Sequence, residues 1–304
     1  MDSLSVSALL AWMVPSESLG EMLRIGGHVD GAYVIPLDLV GISACFSPGT
    51  ANRKAFEDEL SDLYSIPSHM MDASSDVEKF KTPLKSGQTF LKKWLSHEES
   101  EPDTMSLAAW VERLAPGRDD LLLQMDIEGA EYKNIGQAEP DLVRRFRIIV
   151  IELHGLAQLA RNPQAFLEEK GPLFSRLMRD HVVVHAHPNN CCGSTALEEP
   201  PMSIPNVLEL TLLRRDRLEE WQNGALFQSP SPLDIGWNVR SKPPLFLTDG
   251  WIPESQRHES AVRREAIMAA WEHEALLDLL KTNRESTERL IRLSSWNGWP
   301  RSTK

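Results

Sequence analysis

Three carboxylates fall within a hexapeptide, Asp126-Ile127-Glu128-Gly129-Ala130-Glu131, directly after the apolar run Leu121-Leu122-Leu123-Gln124-Met125. Carboxylates grouped in this way bind cations, accept protons and hold hydroxyl groups. Glu131 also suits the first turn of a helix, where the dipole favours an acid. The arrangement recurs in Arg147-Ile148-Ile149-Val150-Ile151, which runs into Glu152-Leu153-His154-Gly155, and in His181-Val182-Val183-Val184, which runs into His185-Ala186-His187-Pro188-Asn189-Asn190. Imidazole titrates near neutrality, so His154 is a candidate general base. Glu152 would orient it or share a cation with it. Asp126, Glu152 and His154 together supply the oxygen and nitrogen donors that suit Mg2+ or Mn2+.

These groups need a scaffold that brings three strand ends together. An apolar run of this length, closed by glycine, reads as a central strand of a parallel sheet. In open α/β sheets, ligands bind beyond the carboxyl ends of such strands. The rest of the chain alternates accordingly. A helix is predicted over residues 7–23, then a first strand Ile42-Ser43-Ala44-Cys45-Phe46 and a helix over 51–64 carrying Glu57. A short strand at His69-Met70-Met71 ends at Asp72. That acid lies about twenty residues past the first turn, where nucleotide-binding folds place a carboxylate for ribose hydroxyls. Capping of the Ala73-Ser74-Ser75 turn is the alternative use of Asp72. A third strand is predicted over 89–95 and a helix over 104–114, capped by Thr104 or Ser106 and stopped at Ala115-Pro116-Gly117. Helices over 130–146 and 163–178 fill the next crossovers.

The hexapeptide at Asp126 closely resembles the signature of FkbM-type S-adenosylmethionine (SAM) dependent methyltransferases, and an ordered set of further segments extends the likeness over residues 20–215. Arg24-Ile25-Gly26 with Asp30-Gly31-Ala32-Tyr33-Val34-Ile35-Pro36 is similar to the family's entry segment, with alanine where a second glycine is usual. Glu152-Leu153-His154 resembles its next strand end. His187-Pro188-Asn189-Asn190 with Ile204-Pro205-Asn206-Val207-Leu208-Glu209-Leu210-Thr211 resembles its closing hairpin. The glycine-rich loop departs from the pattern: Ser47-Pro48-Gly49-Thr50-Ala51-Asn52 has a single glycine, and Pro48 removes a backbone donor. The resemblance implies a Rossmann-like α/β fold with a seven-stranded, mostly parallel sheet between helices, closed by an antiparallel pair near 181–185 and 207–213. It also implies SAM as cofactor, bound by Asp30, Gly31, Ser47, Gly49, Asp72, Asp126 and Glu128. His187, Asn189 and Glu131 would hold the acceptor. The activity implied is O-methylation of a hydroxyl on a sugar, glycan or hydroxylated natural product, with His154, Asp126 and Glu152 as catalytic groups.

The 304 residues are 41% hydrophobic and 25% charged, ordinary for a globular chain. The net charge of −12 disfavours a nucleic-acid partner. Neither a convincing signal peptide nor a membrane-length apolar stretch is evident, so a cytoplasmic location is expected. Three cysteines make no disulfide framework, and adjacent Cys191-Cys192 is a poor zinc spacing. The methyltransferase domain is expected over 1–215. From 216 to 304 an irregular, proline-punctuated extension carries Trp221, Trp237 and Trp251, either over the active-site mouth or as staples to the core. A helix over 259–293 ends it, with apolar positions Ile267, Ala270, Trp271, Leu276, Leu277 and Leu280. Such a stripe needs a partner surface, either the main domain or a second copy in a homodimer. Two other function classes stay open: a metal-dependent hydrolase built on the Asp/Glu/His cluster, and a non-catalytic SAM-binding module. A nicotinamide oxidoreductase is disfavoured because its glycine fingerprint is missing.

Overall fold

The computed structural model describes residues 4–28, 30–98, 101–234 and 238–295, with side chains described as far as residue 276. A seven-stranded sheet organises the chain. Its strands are β1 (Ile42–Pro48), β2 (Ser68–Met71), β3 (Gln88–Leu91), β4 (Asp120–Met125), β5 (Phe146–His154), β6 (His181–Pro188) and β7 (Val207–Arg214). Across the sheet they run β6-β7-β5-β4-β1-β2-β3. The five from β5 to β3 are mutually parallel, and β7 is antiparallel to both β5 and β6. The expected α/β architecture and its antiparallel closure are therefore present.

Helices flank this sheet: α1 (Val6–Met13), α2 (Ala55–Tyr64), α3 (Leu107–Leu114), α4 (Glu131–Gly136), α5 (Pro140–Arg145), α6 (Ala157–Arg161) and α7 (Pro163–Asp180). The helix predicted over 51–64 starts only at Ala55, and three others are shorter or broken, each for a local reason. The first stops at Met13 because Pro15 cannot continue it; the chain then forms short extended segments at Ser18–Leu19 and Met22–Ile25. The stretch predicted over 130–146 is two helices, interrupted between Gly136 and Pro140. A side chain at Gly136 would lie 3.1 Å from the Leu173 amide nitrogen, so glycine lets α4 pack closely on α7. The third, over 104–114, begins at Leu107, with Ser106 Oγ accepting from the Ala109 amide. Thr104–Met105 instead pairs with Trp94–Leu95, which splits the third strand predicted over 89–95.

Each face of the sheet has its own core. Leu121, Leu123, Met125, Ile149, Ile151 and Leu153 meet α1, α3, α4 and α7 through Leu9, Trp110, Ile135 and Phe174. Ile148, Val150 and Val184 on the other face meet α2 and the Met22–Pro36 hairpin through Phe56, Leu60, Tyr33 and Ile35. The extension 216–260 belongs to this same compact unit, which ends at Ser260. Trp221 and Trp251 are buried, and their indole N–H groups donate to the Glu21 and Ser203 carbonyls at 3.0 and 2.8 Å. Both act as staples; Trp237 lies outside the described residues. A second unit starts at Ala261, within the long helix Arg257–Ser295. On that helix Leu276 is 53% exposed, while the Leu277 and Leu280 side chains lie outside the description. No described helix is long and apolar enough to cross a membrane.

At the end of the sheet remote from the carboxylates of β4 and β5, Asp120 accepts from Arg147 Nε at 2.8 Å and from Arg214 Nη1 and Nη2 at 2.5 and 3.1 Å. Both arginines are at least nine-tenths buried. The two guanidinium groups outweigh the effect of burial and hold the Asp120 carboxyl below the usual carboxylate range. Asp120→Ala would leave Arg147 only Asp38 and Arg214 only Asp216 as carboxylate partners and should cost about 2 kcal/mol, read as a lower denaturant midpoint with an unchanged slope.

Candidate functional site

Register decides which side chains meet. On the face covered by the Met22–Pro36 hairpin, Glu152 of β5 stands directly opposite Glu209 of β7, and Glu209 opposite His187 of β6. Asp126 follows the end of β4 on the same side. A row of acid, acid, acid and imidazole thus crosses four strand ends. Like charges directly opposite each other in a ladder repel, and burial adds the cost of desolvation. Glu152 and Glu209 are 4% and 7% exposed. Burial, then Glu209 and Asp126, push the Glu152 carboxyl far above its ordinary range; burial also raises Glu209 and Asp126.

Amides relieve part of this repulsion. Asn189 Nδ2 donates to Glu152 Oε1 at 2.6 Å. Asn238, from the extension, donates to Glu209 Oε1 at 2.6 Å and to Asp30 Oδ1 at 3.1 Å. Arg53 Nη1 donates to the other Asp30 oxygen at 2.6 Å. Gln124 donates to the Tyr33 hydroxyl at 3.2 Å, inside the same buried group. Tyr33, Gln124, Glu209 and Asn238 escaped the sequence reading. Their signal was there for two of them, since Gln124 and Glu209 interrupt the apolar runs Leu121–Met125 and Val207–Leu210.

His154 lies at the outer end of this row. Its Nε2 is 3.7 Å from Asp126 Oδ1 and 3.4 Å from Glu128 Oε2, and its Nδ1 is 3.3 Å from Glu131 Oε1. Burial alone would lower the imidazole, but Glu131, Asp126 and Glu128 outweigh it and the net shift is upward. Donor atoms of Asp126, Glu152 and His154 all fall within 4.8 Å of one another. Asp126 Oδ1, His154 Nδ1 and Glu131 Oε2 are buried without a hydrogen-bond partner. Glu131 is fully buried and also accepts from the Ile127 amide at 2.8 Å, which fixes the turn. Glu128, at φ 56°, holds the left-handed conformation rarely taken by a residue with a side chain.

Asp126 also lines a cavity of about 680 Å³, together with Asp30, Gly31, Tyr33, Gln124, Glu57 and the loop from Gly49 to Lys54. Burial pushes Glu57 up to about 7 despite a hydrogen bond from Ser47. Ser47 itself is fully buried, with its hydroxyl 3.4 Å from Cys45 Sγ. Gly49, at φ 85°, touches the Asp126 backbone so closely that a Cβ would sit 1.6 Å from the Asp126 carbonyl oxygen. The one glycine kept in this loop therefore serves the contact between two strand ends. Asp72 caps its own turn: Oδ1 accepts from the Ser74 amide and hydroxyl, and Oδ2 from the Ala51 amide and Ser75 hydroxyl, at 2.7–2.8 Å. These donors, against the effect of burial, lower its pKa.

Two of the three imidazoles of β6, His185 and His187, are engaged by the extension. Asp234 Oδ1 lies 3.1 Å from His185 Nε2 and 3.4 Å from His187 Nδ1. Burial alone would strip the proton from His187, but Asp234 and then Glu209 outweigh it and push its pKa up to about 9. Asp234 is correspondingly lowered, its imidazole neighbours overcoming its burial. A raised His187 stabilises the fold fully below its unfolded pKa of about 6.5. That contribution fades as pH rises through about 9. A lowered Asp234 stabilises above about 3.9 and fades as pH falls. The pair should thus hold 227–234 against β6 best between about pH 4 and 6.5. Denaturant titrations should show stability falling by a few kcal/mol between about pH 6 and 10, and His187→Ala should flatten that slope. Gly49→Ala, forced against the Asp126 carbonyl, should cost about 2 kcal/mol or more in the same assay.

Comparison with known proteins bears on the chemistry. The chain has no match among curated proteins. Among solved structures it is similar to the crystal structure of a fibrillarin/Nop5p complex, at 13% identity over 57% of this chain and 73% of that one, with a TM-score of 0.31. It is also similar to a 16S rRNA (adenine(1408)-N(1))-methyltransferase variant from Catenulisporales acidiphilia, at 13% identity over 63% and 97% of the two chains, with a TM-score of 0.26. Both scores are too low to carry an argument about this site. Residues 56–178 match the methyltransferase FkbM domain. That segment runs from α2 into the last turn of α7, and the likeness to this domain therefore spans Asp126, Glu131, Glu152 and His154.

Proposed function

We propose that this chain is a SAM-dependent O-methyltransferase acting on a hydroxyl of a sugar, glycan or hydroxylated natural product. One observation carries the reading: Asp126 belongs at once to the 680 Å³ cavity and to the Asp126/Glu152/His154 cluster. A donor held in the cavity and an acceptor held at the cluster would meet across that residue. SAM supplies a methyl group on a cationic sulfonium, which leaves alignment to the protein. The cavity suits such a cation, because Asp30, Glu57 and Asp126 all line it.

Aliphatic hydroxyls are weak acids and need a base or a metal to react. His154 would take the acceptor proton at Nε2, the nitrogen that faces Asp126 and Glu128. Glu131, at Nδ1, fixes the ring and stabilises its charged form. Asp126 then orients the acceptor beside the donor cavity, and Glu152, clamped by Asn189, shapes the floor. A divalent cation fits the same donor set: Asp126 Oδ1 is buried and orphaned, and burial raises the Asp126 and Glu152 carboxyls. Asp126, Glu152 and His154 would hold Mg2+ or Mn2+, which would lower the acceptor hydroxyl's pKa.

Calorimetric titration should give SAM and its demethylated product dissociation constants of about micromolar; absence of binding to either would remove the reading. Asp126→Ala and His154→Ala should each lower turnover on a competent acceptor by about 10²–10⁴-fold without changing the circular dichroism spectrum. Wild-type turnover in both variants would show that the crevice is misassigned. Mn2+ followed by electron paramagnetic resonance should bind the wild type and lose affinity in Asp126→Ala. Equal affinity for both proteins would place the ion elsewhere.

A further inference from the structure

Cys191 and Cys192 take no part in that chemistry, yet Cys191 sits two hydrogen bonds from Glu152. The two are joined by a disulfide in the turn that follows β6. The Cys191 amide donates to Asn189 Oδ1 at 2.9 Å, and Asn189 Nδ2 holds Glu152. On the other side, the Lys242 ammonium donates to the Cys191 carbonyl, and Asn206 Nδ2 donates to the Cys192 carbonyl at 2.7 Å. Asn190, the residue before the pair, accepts from the Val239 amide at 2.8 Å and donates to the Val239, Lys242 and Pro243 carbonyls at 2.9–3.2 Å. The turn thus ties three things together: the Glu152 clamp, the 238–243 segment and the approach to β7.

A bond between adjacent residues closes no chain loop, so it removes little entropy from the unfolded state and is a poor staple. What it does is lock the turn around one peptide bond. Cys192 is exposed and Cys191 half-exposed, so a dithiol reaches the bond from solvent, and exposed disulfides are the labile, regulatory kind.

We infer that Cys191–Cys192 is a thiol–disulfide switch whose oxidised form orders the turn that carries Asn189 and anchors residues 238–243; its effect on Glu152 rests on the methyl-transfer reading of the site. In the switching step, a dithiol reductant attacks one sulfur and the Sγ–Sγ bond breaks. Two electrons and two protons pass to Cys191 and Cys192, and the reductant becomes a cyclic disulfide. Any accessible disulfide oxidant reverses the exchange. Reduction frees both side chains and leaves the turn to its hydrogen bonds.

The native full-length protein is equilibrated with dithiothreitol or with oxidised glutathione, then alkylated and weighed intact. Cys45 is fully buried and serves as an internal reference that stays unlabelled. Two added labels after reduction and none after oxidation are expected, together with amide exchange in 189–193 and 238–243 that is about tenfold faster in the reduced form. A Cys191→Ser/Cys192→Ser variant should exchange at the faster rate under both conditions. Two labels in both forms, or identical exchange before and after reduction of the wild type, would overturn the inference, and the wild-type comparison decides it even if the double variant does not fold. These readouts need neither cofactor nor acceptor, so they stay separate from a failure of the methyl-transfer reading, which would show as no SAM binding in either redox state.

Discussion

The repulsion among Asp126, Glu152 and Glu209 governs how this end of the molecule is built. Each carboxylate is placed by strand register, and none is paired with a lysine or arginine among the described contacts. An arrangement of this sort is tolerated only where amides donate to it, where protons are retained, or where a cation arrives. Asn189 and Asn238 supply the first remedy, and the upward shifts record the second. The apolar packing on both faces holds the strands in the register that keeps the acids together. The site is thus a place where the core's stability is spent on unfavourable electrostatics, the usual mark of groups kept for chemistry rather than for folding.

Much of this was legible in the sequence because it depends on local rules. Apolar runs closed by glycine gave the strands, and the carboxylate or imidazole just beyond each run gave Asp126, Glu152 and His154. Cross-strand geometry was not legible. Nothing in one sequence places Glu209 opposite Glu152, since that pairing joins residues far apart in the chain through an antiparallel insertion. Asn238 and Asp234 were missed for a related reason: they act from an irregular segment whose path no periodicity reveals. The helix predicted over 130–146 failed through ordinary chemistry, since Gly136 closes α4 and Pro140, which cannot continue a helix, starts α5 at its first position.

The loop after β1 shows how a familiar element can change its internal support. Ala51 and Asn52 are both left-handed, at φ 46° and 59°, a conformation that costs energy for residues with side chains. The Asp72–Ser75 turn holds them there: Asp72 takes the Ala51 amide, Ser75 takes the Asn52 amide, and the Asp76 amide donates to Asn52 Oδ1. A rigid backbone is reached without a run of glycines, by side-chain acceptors from the neighbouring strand end. Asp72, with both oxygens engaged in this way, shapes the cavity wall from behind.

The reversed direction of β7 has a consequence for how such a protein can diversify. Because this strand begins at the end of the sheet where its parallel neighbours finish, the Ser194–Leu197 and Met202–Pro205 hairpin that feeds it lies at the carboxylate-bearing end while preceding the strand in the chain. Its length and composition can vary without altering the spacing of the crossover helices, since no helix lies between it and β7. The opposite end of β7 leads away through Arg214, whose clamp on Asp120 fixes the strand irrespective of what precedes it. The hairpin can therefore be remodelled while the carboxylates and imidazole on β4 and β5 keep their places.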